Sequence, residues 1–111
     1  MKNNKQEYPA MTLREDLRLQ ASALAQRLSR SVGRLTSCEL QPCLEYGEEI
    51  EYQQQLVERL LYLQHCRDAL EKCIHSGSVI QRYRWRDGTV TVTRFRRIGP
   101  ARVRVSGLRS A

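Results

Sequence analysis

Apolar positions recur along this chain in two different periods, and the change of period divides it. From Leu13 onward, Leu17, Ala21, Leu24, Leu28, Val32 and Leu35 follow at steps of three or four, which predicts a long helix with a narrow apolar stripe. Arg18, Gln20, Arg27, Arg30 and Arg34 lie off that stripe. Thr12-Leu13-Arg14-Glu15 has the spacing of a capping box, in which the Thr12 hydroxyl and the Glu15 carboxylate satisfy each other's backbone N–H, so the helix is expected to start there, after a flexible polar leader over residues 1–11. Ser37–Gly47 breaks the period, and Pro42 and Gly47 mark a loop. A second helix is expected from Glu48 to His75, with Glu48, Glu49 and Glu51 in a first turn where the helix dipole favours negative charge. Its apolar set is Ile50, Val57, Leu60, Leu61, Leu63, Leu70 and Ile74, with Leu56 and Cys66 beside it. That band is wider than one antiparallel helix covers, so it should also meet the C-terminal segment and a second copy of the chain. Ser76-Gly77 supplies the stop.

After Gly77 the period is two. Val79–Arg86 and Thr89–Phe95 flank Asp87-Gly88, a strong hairpin signal. A two-residue turn sets Arg86 opposite Thr89, Trp85 opposite Val90, Arg84 opposite Thr91, Tyr83 opposite Val92 and Arg82 opposite Thr93. One face then carries Tyr83, Trp85, Val90 and Val92, and the other Arg82, Arg84, Arg86, Thr89, Thr91 and Thr93. Gly99-Pro100 makes the next turn, and Arg102-Val103-Arg104-Val105 alternates again as a third strand, its valines joining the apolar face and its arginines the basic one. The expected fold is α+β, a single domain: two long antiparallel helices (12–77) packed on a small C-terminal antiparallel β-meander (78–111).

Charge sharpens this division. Nine arginines against the single acid Asp87 give residues 79–109 a charge of +8, whereas ten basic and eleven acidic residues leave 1–78 at −1. The whole excess of +7 therefore sits on the predicted sheet, and a basic block beside a near-neutral body points to a polyanionic partner. Arg82, Arg84 and Arg86 would project from one face at intervals of about 6.6–6.8 Å, with Arg94, Arg96, Arg97, Arg102 and Arg104 extending the basic surface. Such a face grips phosphates without reading sequence. A solvated face that keeps the sheet from pairing edge to edge, or the docking surface of an acidic protein, would use the same residues. Tyr83 and Trp85 could stack on bases, but their register with Val90 and Val92 places them in the core.

Four cysteines invite a metal or disulfide reading. Cys38 and Cys43 fall in the loop. Cys66 lies about 27 Å further along the second helix, at 1.5 Å per residue. Cys66 and Cys73 share a face with Leu70 and Ile74 and read as small buried hydrophobes. His65 and His75 sit near the far end of the same helix, so no metal set and no cofactor are expected. There is no P-loop, GxGxxG or HExxH pattern, and the acids are scattered along helix surfaces, so an enzyme is not expected. No apolar run approaches the roughly 20 residues of a membrane span, and the first ten residues lack the apolar centre of a secretory signal. A cytoplasmic or virion protein is expected, binding DNA or RNA without catalysis and forming a homo-oligomer. The alternative is a protein–protein adaptor whose helices form the interface.

The stretch from Arg67-Asp68-Ala69-Leu70 through Gly77, Val79, Asp87-Gly88, Val90 and Val92 resembles the lambda-phage W family of head-to-tail joining proteins. Those chains run helix, Gly, hairpin with a basic-Gly turn, then a second helix. The resemblance spans residues 67–98 and implies a virion protein that sits under the portal, closes the DNA exit and receives the tail. Here a long helix and loop precede the matching stretch, and an Arg/Val alternation stands where the family has its second helix.

Overall fold

The computed structural model describes residues 6–36 and 44–109. Strand β1 (Gln6–Pro9) leads into helix α1 (Ala10–Thr36). Helix α2 (Leu44–Ser76) follows, then strands β2 (Ser78–Arg84), β3 (Val90–Gly99) and β4 (Arg102–Ser106). The α+β architecture is the expected one, with a difference at the front. The sheet has four strands in the order β1-β4-β3-β2, all antiparallel, so one strand precedes the helices.

That first strand occupies part of the expected leader. Gln-Glu-Tyr-Pro carries no strand signal of its own. Its order comes from pairing Gln6 with Val105 and Tyr8 with Val103, and from Tyr8 packing against the core. The chain turns into α1 directly after Pro9, and the Ala10 N–H donates to the Ala101 carbonyl at 2.8 Å. Thr12 and Glu15 therefore lie inside the helix, where Glu15 pairs with Arg18 instead of capping. Ala101 holds φ at 146°, a region L-residues rarely enter, in the tight β3–β4 turn that presents this carbonyl. At the other end of the hairpin, α2 begins at Leu44 and runs through Gly47, so the three glutamates stand beyond its first turn. Cys38, Pro42 and Cys43 lie outside the described residues.

The two helices meet along positions seven apart. Ala10, Leu17, Leu24 and Ser31 of α1 are buried, and Leu56, Leu63 and Leu70 form the matching row on α2. Seven-residue spacing is that of helices wound slightly about each other. It explains why the buried place after Leu24 and Leu28 is Ser31, while Val32, expected in the stripe, is exposed. Stepping back from Leu56 by seven reaches Glu49, and the Ser31 hydroxyl is hydrogen-bonded to the Glu49 carboxylate. Arg34 closes the layer, with its Nη2 2.7 Å from Glu49 Oε2. The helix pair thus has apolar layers near the sheet and one polar layer far from it. A polar layer of this kind fixes register, because any slip leaves a carboxylate without its partners.

The other side of α2 lies on the sheet. Tyr62, Cys66, Ala69 and Cys73 are buried there with Phe95, Val103 and Val105. Tyr62, Tyr83 and Trp85 form an edge-to-face and tilted cluster with ring centroids 4.9–5.4 Å apart. α1 packs chiefly on α2 and touches the sheet at β1. Sheet-to-helix hydrogen bonds run from Ile74 back to Glu58. The helices before that point continue as an arm, which gives the molecule its 54 × 26 × 24 Å shape.

The β2–β3 hairpin differs from the expected register by one residue. Its loop is Arg86-Asp87-Gly88: the Gly88 N–H donates to the Trp85 carbonyl at 2.9 Å and the Trp85 N–H to the Thr89 carbonyl at 2.8 Å. Gly88 alone takes the left-handed conformation, with φ 91°, while Asp87 Oδ1 accepts from the Thr89 N–H and hydroxyl at 2.9 and 2.7 Å. This is a three-residue turn with a glycine bulge. Arg84 therefore pairs with Val90, Tyr83 with Thr91, Arg82 with Val92 and Gln81 with Thr93. β3 is rotated relative to expectation: Thr91 and Thr93 face the helices, and Val90 and Val92 face out beside the arginines. Tyr83 and Trp85 remain on the core side.

Two predictions follow from this packing. Gly107 has φ 78°, and a Cβ there would sit 2.2 Å from the Val92 carbonyl oxygen. Gly107→Ala should therefore cost at least about 1 kcal/mol, measured by urea unfolding, with the loss traced to the end of β4 by hydrogen exchange. The second concerns pH. Hydrogen bonds from Arg34 and then Ser31 hold the Glu49 carboxyl below the usual carboxylate range. A carboxylate with a depressed folded pKa contributes stability above its unfolded pKa and loses it as pH falls through the folded one. Acidification should thus loosen the arm, seen as faster amide exchange around residues 28–34 and 46–52, and Glu49→Gln should flatten that pH dependence.

Candidate polyanion-binding face

Strand phase decides which arginines share a surface. On β2, Arg82 and Arg84 alternate with the inward Gln81 and Tyr83. On β3, Arg94 and Arg96 alternate with the buried Thr93 and Phe95, and on β4, Arg102 and Arg104 alternate with the buried Val103 and Val105. These six arginines occupy the side of the sheet away from α2. Cross-strand pairing places Arg84 beside Val90, Arg82 beside Val92, Arg94 between Ile80 and Ser106, and Arg96 between Ser78 and Arg104, with Arg102 one step beyond at the β3 bulge. Going from the hairpin turn to the opposite end, the positive charge moves from β2 to β3 to β4. The arginines form a diagonal band over four two-residue steps, about 27 Å along the strands.

Little on this face opposes the charge. Glu7 is the only acid in the four strands, and it binds Arg104, with its Oε2 2.9 Å from Nη2. Arg82, Arg84, Arg94, Arg96 and Arg102 have no side-chain hydrogen bond or ion pair among the described residues. Arg96 and Arg104 stand directly opposite each other, an arrangement that destabilises a bare sheet. With Arg94 they border a hollow of about 270 Å³ that Ser78, Ile80 and Ser106 also line. Small side chains between long cationic ones leave room there for an anion to be met from three sides.

Two of the arginines expected on this surface are elsewhere. Arg97 shares the phase of Phe95, and its guanidinium donates to the Ile74 carbonyl in the last turn of α2. Its N–H donates to the Gly77 carbonyl at 2.8 Å. A cation there satisfies an orphan carbonyl and the negative end of the helix dipole, so Arg97 works as a helix cap. Arg86 lies in the hairpin turn, its N–H bonded to the Glu58 carboxylate, and lines a polar hollow with Glu51, Arg59 and Arg109 on the helix side. Arg109, which the alternation does not single out, has its guanidinium carbon 4.1 Å from the centre of the Trp85 ring, and its N–H donates to the Tyr62 hydroxyl at 2.9 Å. Conversely, Ile80, Val90 and Val92 are exposed among the arginines, and the threonines expected there are inside. Thr93 is hydrogen-bonded to the Tyr62 hydroxyl at 3.1 Å, and Thr91 accepts from the Trp85 indole N–H at 2.7 Å.

The remaining chemistry-bearing residues have structural surroundings. Cys66 and Cys73 are buried and unbridged, and burial pushes both thiols up, which keeps them protonated and unreactive at neutral pH. Among the described residues no three His, Cys, Asp or Glu side chains are placed to hold a metal ion, and no helix is long and apolar enough to cross a membrane. No protein family, curated protein or solved structure matches the chain.

The Arg96/Arg104 juxtaposition yields a test. At low ionic strength in chloride, Arg96→Ser should stabilise the fold by about 0.2–1 kcal/mol by removing a like-charge pair. Phosphate or sulfate at matched ionic strength should raise the melting temperature of the unaltered chain more than chloride does, and this difference should shrink in Arg96→Ser.

Proposed function

We propose that this chain is a non-catalytic nucleic-acid-binding protein that holds a phosphate backbone along the arginine band of its sheet. The observation that carries the reading is the co-location of six arginines on one open face, five of them without a partner among the described residues, against a single acid. Solubility alone is served by mixed charges, whereas a one-sign band of planar guanidinium groups suits bidentate contact with successive phosphates. Ile80, Val90 and Val92 add apolar surface beside the band for sugars. The residues proposed to act are Arg82, Arg84, Arg94, Arg96, Arg102 and Arg104. Arg86 and Arg97 are left out because their backbone or side chain is engaged with α2. An adaptor role draws on a different surface, the charge-free side of the helical arm.

Salt dependence tests the proposal. With about five phosphates neutralised, log affinity for duplex DNA should fall with log salt at a slope of about −4 to −5. Arg82→Glu with Arg84→Glu should lower affinity at least tenfold and make the slope shallower by about 2, with circular dichroism unchanged because both side chains are exposed. A slope near zero, or unchanged affinity in the double variant, would reject the band as the binding surface.

A further inference from the structure

A second seam runs beside the one that joins the helices. Ala25 and Val32 on α1, and Ile50 and Val57 on α2, each follow a spine position (Leu24, Ser31, Glu49, Leu56) by one residue. One residue is about 100° of rotation. In an antiparallel pair the same rotation brings both helices to the same side, here the side away from the sheet. All four positions are exposed: Val32 and Ile50 each keep 45% of their surface in solvent and Val57 42%, and Leu61, four residues on from Val57, keeps 51%. Ser29 and Gln54 flank them. Among the described residues of the arm, none on this side is charged, although 28% of the chain is charged; the first charge is Arg18, one residue after Leu17 and beyond the arm, where it pairs with Glu15. Arg27, Arg30, Glu48 and Glu51 are directed elsewhere around the same helices.

We infer that this charge-free seam is the interface between two copies of the chain, packed arm to arm as a four-helix bundle. Several observations select a second copy as the occupant. The chain carries +7, and this is the side on which two copies approach without opposing like charges. The spine register also repeats across such an interface. Ser31 is level with Glu49 within the chain, and seven-residue steps keep Leu24 level with Leu56. With a two-fold axis along the arm, α1 of one copy lies antiparallel to α2 of the other. Val32 then meets Ile50 of the second copy and Ala25 meets its Val57, at the same levels as the internal layers. Both helices of each copy thereby bury two faces, as helices of a bundle do. The basic sheets come to lie on opposite outer sides of the pair. This interface stands independently of what the arginine band binds.

Sedimentation at micromolar concentration should give twice the 13.0 kDa chain mass. Val32→Glu and Ile50→Lys should each sediment as monomers with unchanged helicity, since both side chains are half exposed in the single chain. Mixed together, the two variants should recover the dimer mass as a one-to-one complex, because each substituted residue now faces the other. Leu19→Glu, at a residue 51% exposed on the opposite flank of α1, should remain a dimer. A monomeric unaltered chain, single variants that stay dimeric, a mixture that does not associate, or equal disruption by Leu19→Glu would each overturn the inference.

Discussion

Both α1 and the β2–β4 part of the sheet are packed on one helix that must bury two of its faces at once. α2 gives Leu56, Leu63 and Leu70 to α1, and Tyr62, Cys66, Ala69 and Cys73 to the sheet. Each fully buried leucine is worth about 1.5–3 kcal/mol. A four-strand sheet with one thin apolar face has little else to rest on. The small residues on the sheet-facing side let the strands approach closely, while Tyr62 at its centre reaches three elements: its ring meets Tyr83 and Trp85, and its hydroxyl joins Thr93 and the Arg109 N–H. The inner layer of the sheet is consequently more polar than a hydrophobic pattern suggests, and its buried hydroxyls are affordable because α2 brings them partners.

What could be read in the sequence followed from strong periodicity. Two long helices, the Gly77 stop, the hairpin and the third strand all carry repeated local signals. The phase of β3 was also legible, but only from a longer window. Carrying the alternation from Val90 and Val92 to Arg94 and Arg96 would bury two arginines and expose Phe95, so Phe95 favours the opposite phase. Asp87-Gly88 admits both a two-residue and a three-residue turn, and it is the burial of Phe95 that selects between them. Strand β1 could not be read at all, since its order derives from β4. The capping box failed for the same reason: the fold supplies the Ala101 carbonyl two residues earlier. The roles of Arg97 and Arg86 depend on where α2 ends and on its passing the hairpin turn at Glu58, which local spacing does not encode.

The two surfaces of the molecule show opposite strategies toward charge. On the helices, both signs are interspersed and three ion pairs form within the chain, Arg14–Glu71 at 2.7 Å, Arg18–Glu15 and the Arg34–Glu49 contact. On the sheet, one sign dominates: apart from Arg104 with Glu7, the arginines of the outer face are left unmatched among the described residues and set side by side. Unmatched like charges lower stability, so the band is a standing cost to the fold that a bound polyanion would relieve. Surfaces kept at such cost are informative about function in a way that matched ion pairs are not.

Strand β1 has a kinetic consequence. Its partner residues lie almost the whole chain away, with Gln6 pairing to Val105, whereas the β2–β3 and β3–β4 hairpins and the helix pair close over short or moderate separations. Long closures are slow to form and early to open. The order of assembly should therefore run from hairpins and helix pair to β1 last. Until β1 docks, the backbone edge of β4 is bare and Arg104 lacks Glu7. A chain caught in that interval has a stickier edge and a more strongly basic face than the finished fold, and its first strand acts as a built-in shield added at the end of folding.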